Sequence, residues 1–141
     1  MMDGLFKSIN ISASGMTAER FRLNVISQNL ANSDTTRTEN GDPYRRKVVT
    51  FQEVLNGEIG KQETDFGGVK VRSIEEDITP FKLVYNPDHP DSNEEGYVRM
   101  PNVNVLNEMV DMMTAQRAYD SNAAVVNAAK SMYNSALNIG K

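Results

Sequence analysis

The chain has 141 residues, a formal charge of −4, 39% apolar residues and no cysteine. That is about one domain's worth of sequence, with no disulfide, thiol nucleophile or Cys-based metal site available to it. The acidic balance gives no support for a nucleic-acid or anionic-membrane partner. A mean hydropathy of −0.51, with no run near the ~20 apolar residues of a transmembrane helix, argues for a soluble chain without membrane insertion.

The first residues, Met1 to Ser8, combine no basic stretch with no continuous apolar run, so no cleaved signal peptide is expected. From about Leu5 to Ala31 apolar residues recur at helical spacing. The seam reads Leu5, Ile9, Met16, Leu23, Ile26 and Leu30, with Ser12 and Glu19 at the intervening positions. Phe6, Phe21 and Val25 lie off that seam, which makes the helix apolar on more than one side. Gly15 costs of order 1 kcal/mol there unless it permits close packing. Asn29 and Asn32 suit a helix end, because Asn tolerates left-handed geometry.

Residues 33–43 form a turn-rich connector, punctuated by Asn40-Gly41 and Asp42-Pro43, whose mixed charges are expected to be solvated. The period then changes from 3.6 to 2. Tyr44–Phe51, Val69–Ile74, Phe81–Tyr85 and Tyr97–Met100 read as short antiparallel strands, giving a small sheet or a pair of hairpins over 44–100. Gly67-Gly68 reads as turn chemistry, and Val54–Ile59 as a short helical turn.

The second helical stretch, within 101–141, is the longest pattern. Val105, Met112, Tyr119, Val126 and Tyr133 interleave with Glu108, Ala115, Asn122, Ala129 and Ala136 in the 3-4 alternation of a coiled coil. Pro101 before it and Gly140 after it are start and stop signals. About 36 residues at 1.5 Å each make a rod of roughly 54 Å. One flank reads Met109, Gln116, Ala123, Lys130 and Leu137 and the other Ala118, Val125, Met132 and Ile139, where a two-stranded coil would usually carry Glu and Lys. Such a helix is either the core of a bundle or an assembly helix with several partners. Four segments follow: an N-terminal helix at 1–32, the connector, the β-rich part, and the C-terminal helix. The fold class is α+β, with two long helices paired antiparallel and a small antiparallel β unit between them.

No catalytic constellation is present. His89, the one histidine, lies in Asn86-Pro87-Asp88-His89-Pro90-Asp91, where two prolines in a polar run make a rigid turn. Asp and His at this spacing could ligate a metal, but a site needs three or four convergent ligands, and a rigid exposed turn is the better reading. Tyr44-Arg45-Arg46-Lys47 is a basic-aromatic run isolated in an acidic chain. Neither enzyme activity nor a cofactor is expected.

Ser12-Ala13-Ser14-Gly15-Met16 and Asn24-Val25-Ile26-Ser27-Gln28-Asn29-Leu30-Ala31-Asn32 resemble the amino-terminal signature of bacterial flagellar rod, hook and hook-associated proteins. In that family Asn-Leu-Ala-Asn is commonly followed by Thr-x-Gly-Tyr. This chain departs from it, with a longer connector before Tyr44-Arg45-Arg46 that resembles the proximal-rod branch. Asn86-Pro87-Asp88-His89-Pro90, Glu95-Gly96-Tyr97-Val98, Pro101-Asn102-Val103-Asn104, Glu108-Met109-Val110-Asp111-Met112 and Ala128-Ala129-Lys130-Ser131-Met132 carry the same resemblance; residues 55–69 do not. It implies a subunit polymerising helically into the drive-shaft rod of the basal body, outside the cytoplasmic membrane and between the membrane ring and the hook. The partners implied are copies of itself, other rod subunits, ring or adaptor proteins, and the type III export apparatus. The assembly residues expected are Leu5, Ile9, Met16, Leu23, Ile26, Asn29, Leu30 and Asn32 on the first helix. On the second they are Met112, Ala115, Tyr119, Asn122, Val126, Ala129, Tyr133 and Ala136. A soluble coiled-coil adaptor or chaperone-like module is the alternative from another class.

Overall fold

The change of period from 3.6 to 2 and back yields two long helices with strands between them. In the computed structural model, which describes residues 2–56 and 65–139, the order is α1 (Met2–Ala31), β1 (Lys47–Asn56), β2 (Asp65–Glu76), β3 (Lys82–Tyr85), β4 (Tyr97–Met100) and α2 (Val105–Ile139). The fold is α+β. The strands form two two-stranded sheets, β1 with β2 and β3 with β4. The second is antiparallel, with Lys82 opposite Met100 and Tyr85 opposite Tyr97.

The chain gathers into two compact units that cut across these elements. One comprises Met1–Leu23, Thr50–Ser73 and Thr114–Lys141; the other comprises Asn24–Val49 and Ile74–Met113. In the first, α1 and α2 run antiparallel: the Phe6 ring meets Tyr133 edge-on at 5.9 Å, and Gly15 faces Asn122. A Cβ on Gly15 would stand 2.9 Å from Asn122 Nδ2, so this glycine marks a close helix approach. Small residues make that approach possible, with Ser12, Ala18, Ala115 and Ala129 all buried. On its other side α1 receives β2, where Ser14 Oγ accepts the Val69 N–H at 3.1 Å. Gly68 adopts φ of +106° beside it, and any Cβ there would strike the Ser14 side chain. The two glycines expected in a turn thus lie within a strand, and at Gly68 the helix leaves no room for a side chain.

Being covered on two sides, α1 buries more than its heptad stripe. Val25, which the seam leaves out, is buried beside Ile26, whereas the seam residues Ile9, Met16, Leu23 and Leu30 are half-buried. Along α2 the heptad holds: Glu108, Ala115 and Ala129 are buried, and Met112, Tyr119, Asn122, Val126 and Tyr133 are half-buried. Val105 and Ala136, at its two ends, are exposed.

Local corrections follow from backbone hydrogen bonding. The first strand begins at Lys47 rather than Tyr44, and Val54–Asn56 continue it where a helical turn was expected. The remainder of that expected turn, to Ile59, lies outside the described residues, as does the Leu5 side chain. Among the described residues no non-glycine adopts positive φ, so neither Asn29 nor Asn32 ends α1 in left-handed geometry. Asn32 Nδ2 instead donates to the Gln28 carbonyl at 2.9 Å, satisfying an end group of the helix directly.

Candidate assembly surface

The second unit is organised by a buried polar cluster at the start of α2. Asn104 caps this helix, its Oδ1 accepting the Leu106 and Asn107 N–H groups at 3.1 and 3.3 Å. One turn on, the seam position Glu108 turns inward and is fully buried. A buried carboxylate needs charge-assisted partners. It receives the Arg46 Nε–H at 2.5 Å and the Asn29 Nδ2–H at 2.9 Å.

Asn29, only 1% exposed, uses all four of its bonding positions. Its Nδ2 also donates to Lys47 O at 2.9 Å; its Oδ1 accepts the Lys47 N–H at 2.9 Å and the Tyr44 O–H at 3.0 Å. Burial, reinforced by the Glu108 and Glu76 carboxylates, raises the Tyr44 hydroxyl above its ordinary pKa of 10.0, keeping it a donor. Arg46 spreads its charge over three acids, reaching Asp111 at 3.4 Å and Asp77 at 3.5 Å as well as Glu108. Burial works against that charge, but the bond to Glu108 and the three carboxylates outweigh it and raise Arg46. The Thr79 backbone N–H and then its hydroxyl, with Arg46 behind them, hold Asp77 below the usual carboxylate range. The basic run is thus consumed inside the chain: Arg46 on Glu108, Arg45 stacked 4.4 Å over Phe81, and Lys47 over Tyr44.

His89 has a local task. Its Nδ1 accepts the Asp91 N–H at 3.1 Å, tightening the turn that leads to β4.

The expected assembly residues therefore divide. Asn29, Ile26, Ala115 and Ala129 are buried within their own chain, and Asn122 bonds back to Ala118 O beside Gly15. Off the seam, other apolar residues remain exposed. In the second unit Leu106, Met109, Val110 and Met113 occupy one face of α2 at spacings of three, one and three, and each is half or more exposed. In the first unit Val125, Met132 and Leu137 of α2 are exposed, as are Phe6, Ile11 and Phe21 of α1. The signal that finds them is the scarcity of charge beside the seam, where Lys130 and Asp111 stand among mostly apolar and small residues. Exposed apolar side chains on two long helices make these faces the candidate for protein contact.

Two family models match these same segments. One described as flagella basal body rod protein matches residues 9–37, and one described as flagellar basal body rod FlgEFG protein C-terminal matches residues 94–139. Similar full-length relatives are the flagellar basal-body rod proteins FlgC of Borreliella burgdorferi (49% identical, 96% of this chain and 97% of the relative), Bacillus subtilis (48%, 96% and 98%) and Escherichia coli (44%, 97% and 98%). The chain belongs to the FlgC family of flagellar basal-body rod proteins. It is accordingly a structural rod subunit of the basal body and not an enzyme, and it assembles with other rod subunits. The matched segments take in α1 from residue 9 onward and the whole of α2. Among the described residues no helix is long and apolar enough to cross a membrane.

Proposed function

We propose that the chain polymerises helically through α1 and α2 into the torque-transmitting shaft of the rod. The observation that carries this is the exposed apolar surface of both helices, with Leu106, Met109, Val110 and Met113 as its densest part. Helices that have already met through Ala115, Ala129 and Gly15 bring a stiff pair to the assembly, and their outer faces are left for neighbours. The half-buried Ile9, Met16, Leu23, Leu30, Tyr119, Val126 and Tyr133 and the exposed Ala136 lie at the margins of those faces. Contacts of this kind are heterologous and do not close, so each subunit touches several others. Torque transmission rests on the same geometry, since stiff helices packed side by side with lateral contacts resist twisting. Delivery by the flagellar type III export apparatus without a cleaved signal, and a lower boundary at the ring or adaptor proteins, complete the proposal.

The test is complementation of a deletion strain with wild-type chain or with Met109→Asp/Met113→Asp. Both substitutions are on exposed positions, so the purified variant should keep its melting curve. The variant should be secreted at wild-type level yet be missing from isolated basal bodies and fail to restore swarming. Normal rods built from the double variant would remove the α2 face from the assembly.

A further inference from the structure

Ile78 is 91% exposed, the most exposed large apolar side chain described. Its turn is not loose. The Asp77 carbonyl accepts from Arg45 Nη1 at 3.1 Å and Asn102 Nδ2 at 2.9 Å, and the Thr79 carbonyl accepts from the same two side chains. The Thr79 N–H closes on Asp77 Oδ1 at 2.9 Å, and the Asp77 N–H on Arg46 O at 2.8 Å. A backbone held at so many points presents Ile78 with little ordering entropy left to lose on contact. Asp77 of this turn also lines a cavity of about 400 Å³, together with Arg46, Asn102, Asn107, Val110 and Asp111. Its α2 wall continues into the apolar face of Leu106 and Val110.

We infer that this turn and cavity form the acceptor site for α1 of a second copy of the chain, with Ile78 seated against the exposed Phe21 and with Arg20 of that copy meeting the carboxylates. Charge selects the occupant. The carboxylates of Asp77 and Asp111 reach the surface beside the Arg46 guanidinium, with the buried Glu108 behind them; counting Arg45 on the turn, three acids stand against two cations, so acid predominates by one charge. On the first unit's part of α1 the exposed residues Phe6, Asn10, Thr17, Arg20 and Phe21 share one face, and no described exposed residue of that part is acidic. An apolar helix face with a cation fits an apolar wall rich in acid. Donor and acceptor are different surfaces, so the contact runs head to tail and leaves an acceptor open for the next copy. The inference rests on the rod-subunit reading and adds which faces meet.

The native chain has no cysteine, so thiol chemistry reports the contact cleanly. Ile78→Cys and Phe21→Cys chains, differently tagged, are co-expressed in the deletion strain, and isolated basal bodies are treated with a short bis-maleimide. A mixed product is expected, joining the thiol introduced by Ile78→Cys in one copy to that introduced by Phe21→Cys in the other. Ile78→Ser should lower rod incorporation by about tenfold or more, as for loss of a contact hot spot. Because Ile78 is exposed, Ile78→Ser should leave the melting curve of the purified chain in place. Cross-links between like positions, absence of the mixed product in assembled rods, or wild-type incorporation of Ile78→Ser overturns the inference while leaving the rod reading intact. Absence of the tagged wild-type chain from basal bodies overturns both.

Discussion

Replacing Asn29 tests whether the two helices are joined by a desolvated polar network. Asn29→Ala strands four groups at once: the Lys47 N–H and carbonyl, the Tyr44 hydroxyl and Glu108 Oε2. Lys47 is half-buried, so water reaches part of what it loses; Tyr44 and Glu108 are buried. Counting those two at about 1–3 kcal/mol each for a buried group left without a partner gives a cost of about 3 kcal/mol. That is a large share of the roughly 5–15 kcal/mol by which a typical domain is stable. Asn29→Asp is nearly isosteric but replaces a donor with a carboxylate oxygen. It would face Glu108 Oε2 and Lys47 O where Nδ2 now stands 2.9 Å from each. Repulsion adds to lost bonding, so the order of stability at neutral pH should be wild type, then Asn29→Ala, then Asn29→Asp. Urea unfolding followed by far-ultraviolet circular dichroism measures this, provided the slope with denaturant is unchanged. Asn29→Asp matching or exceeding Asn29→Ala, or Asn29→Ala costing under about 1 kcal/mol, would refute the reasoning.

Three further outcomes follow from single contacts. Gly15→Leu should cost about 1–3 kcal/mol and lower the melting temperature, because a side chain there meets Asn122 and forces α1 from α2; Gly15→Ala, displacing only the end of Asn122, should be far milder. Ala129→Glu places a carboxylate at a site that is 1% exposed, so the isolated chain should lose roughly 3 kcal/mol or more, with rod incorporation lost as well; Ser131→Glu, at an exposed position, should do neither. Tyr44 supplies a pH dependence. Its folded pKa is raised, so the stability it contributes is fully present below 10.0 and is lost as pH rises through the folded value. Alkaline denaturation curves of wild type and Tyr44→Phe should therefore converge as pH climbs above 10.0, and parallel curves across that range would contradict the assignment.

Local chemistry is written in adjacent residues, which is why much of this fold is legible without coordinates. The 3-4 spacing of Met112, Ala115, Tyr119, Asn122, Val126 and Ala129 sets which side of α2 turns inward, because a helix repeats every 3.6 residues whatever it packs on. Alternation in Val69–Ile74 and the turn residues before Tyr97 likewise specify β2 and β4. The flagellar signature in α1 and at the start of α2 named the family. Tertiary structure decided the rest, because it depends on residues far apart in sequence arriving at one place. Nothing local distinguishes Asn29, the node of a buried network, from Asn32, which closes a helix end; the difference is that Lys47 and Glu108 come to meet the first. Gly68 reads as a turn until Ser14 is found against it. Nothing local marks Ile78; it stands out only because Arg45 and Asn102 pin its turn, leaving the side chain in solvent.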